Sequence, residues 1–298
     1  MSGVKITNFF INMECLVGDM EDATKIGVEY AATAPLSVIR KPKRVQTGVA
    51  GFDKLVEGGF PIGTNVLIAG APGTGKSIFG LEYLYQGALK GENGVYVVID
   101  SEVELLKMQA RQFGRDIDKL EQQGKIFFLK VPLDKNKLNI FEMIEKVKKQ
   151  IDVKRVVFDS LAAFAMNIDL FTIPLGYAGN MASSVEASGG AGNGQVFYTG
   201  NSEKRMVSLI LEELKSLGTT NLIITYGGQS EGQITIDGVS EFECDGIIQM
   251  HNELIGSKRA RTMAILKMRN TAHSPYLHDV EITKANGIEI KPAEEVVL

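Results

Sequence analysis

From Val45 onward, short apolar runs of strand length alternate with longer stretches of helical period. That alternation is the signature of βα units around a largely parallel sheet. The runs predict strands at Asn65–Ala69, Gly94–Ile99, Lys125–Leu129, Arg155–Phe158, Asn221–Thr225 and Gly246–Met250. Helices are predicted over Ser77–Leu89, Val103–Phe113, Ile140–Gln150 and Glu203–Leu217. In the last of these, Met206, Ile210, Leu214 and Leu217 fall on one face. Arg261–Met268 and Val280–Ile290 read as antiparallel strands, closed by a turn at Asn286-Gly287. The expected fold class is α/β, a mostly parallel central sheet flanked by helices with antiparallel strands at its C-terminal side.

Two stretches do not follow this rhythm. Residues 1–44 carry no readable motif, and Lys41-Pro42-Lys43-Arg44 reads as a solvated hinge, so we expect an extension over 1–44 and one domain over 45–298. Residues 167–201 hold seven glycines and four aromatics (Phe171, Tyr177, Phe197, Tyr198) without a sustained period. A loop that long is unusual inside a domain. It reads either as a surface insertion or as a functional loop facing a partner or a central channel.

Composition narrows the setting. The 298 residues are 44% hydrophobic and 23% charged, with a net charge of −4, which argues against a protein built to neutralise nucleic-acid phosphates. Two cysteines, Cys15 and Cys244, cannot form a disulfide framework or a four-cysteine zinc site, and they read as reduced thiols. No uninterrupted apolar stretch is long enough to span a bilayer, and the Phe9-Phe10-Ile11 segment is broken by Asn8, Asn12 and Glu14. The expectation is a cytoplasmic protein without a membrane partner.

The strongest chemical signal is Gly70-Ala71-Pro72-Gly73-Thr74-Gly75-Lys76-Ser77, which satisfies G-x-x-x-x-G-K-[ST] at every position. Its glycines let successive backbone N–H groups turn inward toward phosphate oxygens. Lys76 adds a positive charge for the β- and γ-phosphates, and the Ser77 hydroxyl suits Mg²⁺. A predicted strand precedes the motif and a predicted helix follows it, so the helix dipole also faces the anion. A site of this kind needs a second acid at the end of a neighbouring strand, and Asp159, closing Val156-Val157-Phe158, supplies it. The nucleotide contacts expected here are Ala71, Pro72, Gly73, Thr74, Gly75, Lys76, Ser77 and Ile78, with Ser77 and Asp159 as metal ligands.

Around this motif the chain resembles the KaiC-like and RadA-like ATPases of the RecA superfamily. The resemblance runs from Gly51-Phe52-Asp53 and Gly58-Gly59-Phe60-Pro61-Ile62-Gly63 through the phosphate loop, Gly94–Asp116 and Asp159-Ser160. It continues in Leu217-Gly218-Thr219-Thr220 and Arg261–His273, roughly residues 43–290 without the 167–201 insertion. It is closer to KaiC than to the DNA recombinases, and looks like a single-domain homologue. The resemblance implies a RecA-like fold, ATP and Mg²⁺ as ligands, and a ring, usually a hexamer, with ATP between subunits. It also implies that Lys267, Arg269 and His273 reach the neighbour's ATP, where cations stabilise a transferring phosphoryl group.

Two departures bear on activity. The family places two adjacent glutamates after the second strand, one of them the catalytic base; the matching residues are Asp100 and Ser101, followed by Glu102. Asp100 is one methylene shorter than Glu and would place the attacking water less well, so the expectation is slow hydrolysis with Lys76 and Asp100 as the catalytic residues. The autophosphorylating half of KaiC carries Ser and Thr where this chain has Glu241 and Phe242, so it resembles the ATPase half and lacks the phosphoacceptor.

The two loops that bind DNA in the recombinases correspond to residues 160–203 and 226–245, and neither contains a Lys or Arg. A surface without cations lacks the contacts that give nucleic-acid affinity. The sequence therefore predicts a nucleotide-driven switch acting on an unidentified protein partner. The competing readings are a nucleotide-gated scaffold without turnover, such as an accessory ring of the archaeal motility motor, and a DNA-repair recombinase.

Overall fold

The computed structural model describes residues 42–131, 140–167, 200–228 and 233–293. The expectations for 1–41, and for all but the edges of the 167–201 insertion, lie outside the described residues. The apolar runs become strands β3 (Asn65–Gly70), β4 (Asn93–Val98), β5 (Ile126–Lys130), β6 (Val153–Asp159), β7 (Thr220–Tyr226) and β8 (Gly246–Ile255). β9 (Lys258–Met268), β10 (Leu277–Thr283) and β11 (Gly287–Lys291) follow, and β1 (Arg44–Val45) with β2 (Phe60–Pro61) forms a separate small ladder.

The nine strands β3–β11 make one sheet in the order β11-β10-β9-β8-β3-β7-β6-β4-β5. Neighbours from β8 across to β5 are parallel. The β8/β9, β9/β10 and β10/β11 pairs are antiparallel. The fold class is as the sequence predicts: a mixed, mostly parallel RecA-like sheet flanked by helices.

Helices are α1 (Lys76–Leu89), α2 (Val103–Gln112), α3 (Ile117–Gln122), α4 (Ile140–Gln150), α5 (Leu161–Met166), α6 (Gly200–Ser216) and α7 (Ser240–Glu243). Both faces of the sheet are covered, which is why its strands are continuously apolar rather than alternating. Along β3, Val66 and Ile68 join the cluster under α1, α2 and α3, whereas Leu67 joins the one under α4, α5 and α6. β6 and β7 divide in the same way: Val157, Leu222 and Ile224 face α1, and Val156, Phe158 and Ile223 face α6.

Buried polar groups fix the edge of the sheet where β3 and β7 begin. Asn65 donates to Leu211 O at 2.7 Å, and Asn221 donates to Leu214 O at 2.8 Å. Two carbonyls near the end of α6 thereby find partners in the adjacent strands. The Asn221 amide also reaches Asn65 Oδ1 at 2.8 Å and takes the Thr219 hydroxyl at 2.6 Å.

The basic run at the start of the domain is not a solvated turn throughout. Arg44 donates to Val56 O, Gly59 O, Thr271 Oγ1 and Asn270 O, and it pairs with Glu57 at 2.7 Å. Its planar fork can satisfy several acceptors at once, so it closes the segment onto the loop after β9.

Arg155 is a second buried cation, and sequence alone reads it as a strand edge. It is fully buried, donating to Tyr83 O at 2.7 Å, Gln46 O at 2.9 Å and Glu92 Oε2 at 2.7 Å. Its guanidinium lies 4.6 Å from the centre of the Tyr83 ring. Room for it comes from Gly87 in α1, where a Cβ would stand 2.4 Å from Arg155 Nε. Gly87→Ala gains about 1 kcal/mol of helix propensity yet displaces a buried, fully bonded cation, costing about 1–3 kcal/mol. Urea unfolding should therefore show net destabilisation, and a stabilised variant would contradict the packing described.

Candidate functional site

The carboxyl ends of β3, β7, β6 and β4 lie side by side, because these strands are parallel neighbours in register. Gly70 pairs with Tyr226, Asp159 with Ile224, and Val98 with Asp159. β3 is continued in the chain by β4, yet β7 and β6 stand between them in the sheet. In open α/β sheets, a crevice beyond the strand ends forms where the strand order reverses in this way. Here it is a cleft of about 590 Å³, whose lining includes Lys76, Ser77, Asp100, Asp159, Tyr226 and Arg261.

The loop between β3 and α1 turns through Gly73 and Gly75 at φ of +79° and +108°, a backbone that side-chain-bearing residues rarely adopt. Thr74 is buried and donates to Ala71 O at 2.9 Å, fixing the loop from inside. Pro72, Gly73, Gly75, Lys76, Ser77 and Ile78 line the cleft; Ala71 is exposed where the loop begins. Lys76 is 7% exposed, and its ammonium donates to Gly70 O at 2.7 Å and Ala71 O at 2.9 Å. Burial pulls its pKa down to about 8, opposed by attraction from Asp159 and Asp100.

Asp159 ends β6 facing the first turn of α1. Its Oδ2 accepts from Ser77 Oγ at 2.8 Å and from Tyr96 OH at 2.7 Å. Burial raises the carboxyl's pKa; the Tyr96 and Ser77 hydroxyls pull it back, Asp100 adds to the rise and Lys76 opposes it. Among the described residues, no group of three or more His, Cys, Asp or Glu side chains could hold a metal. A hydroxyl and a single carboxylate nevertheless suit Mg²⁺, which keeps waters and takes phosphate oxygens for its remaining positions. The donor set therefore fits magnesium arriving with a phosphate ligand.

Asp100 stands two residues beyond β4. Its Oδ2 accepts from Tyr226 OH at 2.9 Å and from Ser160 Oγ at 3.3 Å. Ser101 lines the same cleft, and its carbonyl accepts from Lys130. Glu102, the glutamate nearest in sequence, is drawn away: its Oε1 takes Lys130 Nζ at 3.2 Å. Among the described residues, Asp100 and Asp159 are thus the carboxylates that line the cleft.

Lys267, Arg269 and His273 do not join this cluster within one chain. Arg269 is level with the start of β3: its N–H donates to Asp245 O, and the Asp245 N–H donates to Asn65 O, each at 2.8 Å. Gly70 lies five residues further along β3, about 16 Å away at strand rise. Arg269 Nη1 also meets Asp245 Oδ1 at 3.1 Å, and Lys215 joins the same carboxylate at 3.0 Å. Lys267 donates to the carbonyls of Glu241 and Phe242 at 3.2 and 3.1 Å, and burial together with Arg269 lowers its pKa. His273 Nδ1 lies 3.1 Å from Ser274 O.

Sequence reading missed Tyr96, Tyr226 and the role of Arg261. Arg261 on β9 donates to Gly73 O at 3.0 Å and places a cation beside the phosphate loop. Tyr226 carried a usable signal: it directly follows the predicted strand Asn221–Thr225, as Asp159 follows Arg155–Phe158. Tyr96 carried none, because an aromatic inside such a run reads as core.

Comparison with known proteins identifies the family. The family described as "ATPase: KaiC" matches residues 45–170 and 199–295. The circadian clock oscillator protein KaiC of Synechococcus elongatus is 30% identical over 84% of this chain, and that of Parathermosynechococcus lividus is 29% identical over 87%. The chain spans about 44% of the length of these two relatives. A crystal structure of a KaiC-like protein from the archaeon Pyrococcus horikoshii superposes with a TM-score of 0.66 at 31% identity, covering 84% of this chain and 100% of that one. With the family matched over most of its length, this chain belongs to the KaiC ATPase family.

Proposed function

We propose that this protein binds MgATP between the subunits of a ring, hydrolyses it slowly, and presents the nucleotide state to a protein partner. The observation that carries this reading is the convergence of Lys76, the Ser77–Asp159 pair and Asp100 in one cleft. The second support is the place of Arg269, level with the start of β3 and about a strand length from its own chain's phosphate loop, which suits a role at another subunit's cleft.

Phosphate oxygens would be held by the N–H groups of Ala71–Ile78 and by Lys76, which exchanges its carbonyl partners for them. Ser77, with Asp159 behind it, would hold Mg²⁺, whose charge offsets that of the phosphates when bound. Asp100 would take a proton from water as the water oxygen bonds to the γ-phosphorus and the bond to the β-phosphate's bridging oxygen breaks, leaving ADP and phosphate. Having one methylene fewer than Glu, Asp100 reaches less far into the cleft, and turnover is correspondingly slow. Autophosphorylation at 241–242 finds no hydroxyl to accept phosphate: Glu241 instead accepts from Thr235 N and Oγ1 at 3.0 and 2.8 Å.

The missing glutamate pair also favours a second reading: a nucleotide-gated scaffold without turnover. One experiment separates the two. Lys76→Ala should abolish nucleotide binding and phosphate release, whereas Asp100→Asn should keep affinity within about twofold and lower turnover at least about tenfold. Steady release lost in Lys76→Ala excludes the scaffold; equal turnover in wild type and Asp100→Asn removes Asp100 as base.

The depressed Lys76 sets a pH dependence. The ammonium is charged below about pH 8 and loses its proton above it, so binding phosphate at higher pH must recruit one. Nucleotide affinity should fall roughly tenfold between pH 7 and pH 9, and Lys76→Arg should flatten the profile. A flat wild-type titration contradicts the burial argument. Ring contacts have their own test. Mixing inactive Lys76→Ala chains with inactive Arg269→Ala chains should restore part of the turnover, through sites pairing an intact Lys76 with an intact Arg269. No recovery in verified mixed rings would sink the trans assignment.

A further inference from the structure

The structure assigns to Tyr226 the positioning of Asp100, an inference that rests on the ATPase reading above. Strands β7 and β4 are not neighbours; β6 stands between them, so they are about 10 Å apart at normal strand spacing. A side chain at the end of β7 must cross the end of β6 to touch one at the end of β4. Tyrosine has that length, and the residue it passes, Ser160, is small. The Tyr226 hydroxyl ends 2.9 Å from Asp100 Oδ2, while the Ser160 hydroxyl approaches the same oxygen at 3.3 Å.

This arrangement compensates for the short carboxylate. Both hydroxyls engage Oδ2, and Asp100 Oδ1 takes no hydrogen bond from the described residues. One oxygen is therefore anchored and the other is left for water. Ser160 accepts from Ala163 N at 3.2 Å to cap α5, so its own proton is available to Asp100. Burial, followed by the Asp100 carboxylate, pushes the Tyr226 phenol up to about 12, which keeps it a donor near neutral pH.

Tyr226 is also coupled to the phosphate loop. It pairs in register with Gly70, and its ring centre lies 5.6 Å from Lys76 Nζ. The hydroxyl thus holds the base in a fixed relation to the strand that delivers the phosphates. Losing it should loosen Asp100 without removing any group that binds nucleotide.

Tyr226→Phe tests this, because it keeps the ring and removes only the hydroxyl. The expected result is kcat lower by roughly tenfold, with KM, ADP affinity and melting temperature essentially unchanged. Affinity for ADP with tetrafluoroaluminate, which mimics the phosphoryl group in flight, should drop by a similar factor while that for ADP alone holds. In an Asp100→Asn background, adding Tyr226→Phe should change turnover less than about twofold, since the hydroxyl acts through Asp100. An unchanged kcat in the single variant, a kcat loss tracked by ADP affinity, or an additive loss in the double variant would each overturn the assignment. Phosphate release that survives Lys76→Ala would instead overturn the ATPase reading, whatever Tyr226→Phe does.

Discussion

The parallel register shared by β3, β7, β6 and β4 is the constraint on which the site depends. Each strand ends at the same level, and each end delivers one functional group: the phosphate loop after Gly70, the Tyr226 hydroxyl, the Asp159 carboxylate and, just past β4, Asp100. Side chains on one face of a strand recur every second residue, so a one-residue slip in any of these ladders would turn its group away from the cleft. The apolar layers on both faces prevent such slips, because a shifted strand would exchange the partners of every buried side chain. Core packing and site geometry are in this sense one requirement.

The two edges of the parallel sheet differ in chemistry. At the carboxyl edge, buried Lys76 and Asp159 answer each other's charge across a cleft that leaves room for a ligand. At the opposite edge, Asp245 is 5% exposed and already paired with Lys215, Arg269 and the Asn65 amide. One edge is poised for phosphates; the other is locked by satisfied polar contacts, with Arg269 half-exposed beside Asp245. Arg44 and Glu57 brace the loop after Arg269 from the N-terminal side, through Asn270 O, Thr271 Oγ1 and the Ala272 amide.

The departures from the family's glutamate pair also take on a physical meaning. Asp100 is not a bare truncation, since Tyr226 and Ser160 hold it from two other strand ends. Ser101 contributes its carbonyl to Lys130, and Glu102 is committed to the same lysine.

The sequence by itself determined the α/β class, the strand cores and the phosphate loop, because each rests on local period or contiguous residues. It also named Asp159, since an acid directly after an apolar run announces a strand end, whereas Asp100 came only from the resemblance, as the residue at the family's glutamate position. Helix and strand limits shifted by a few residues: β6 begins at Val153 rather than Arg155, and β9 at Lys258 rather than Arg261. Only the tertiary structure decided the strand order, and with it which strand ends are neighbours. Ser77 meets Asp159 across 82 residues and Tyr226 meets Asp100 across 126, and no local pattern encodes contacts of that separation. The structure likewise decided that Arg155 and Arg44 are structural cations, and that Arg269 stands a full strand length from its own chain's phosphate loop. Charge and spacing in sequence say what a residue can do; the register of the sheet decides what it can reach.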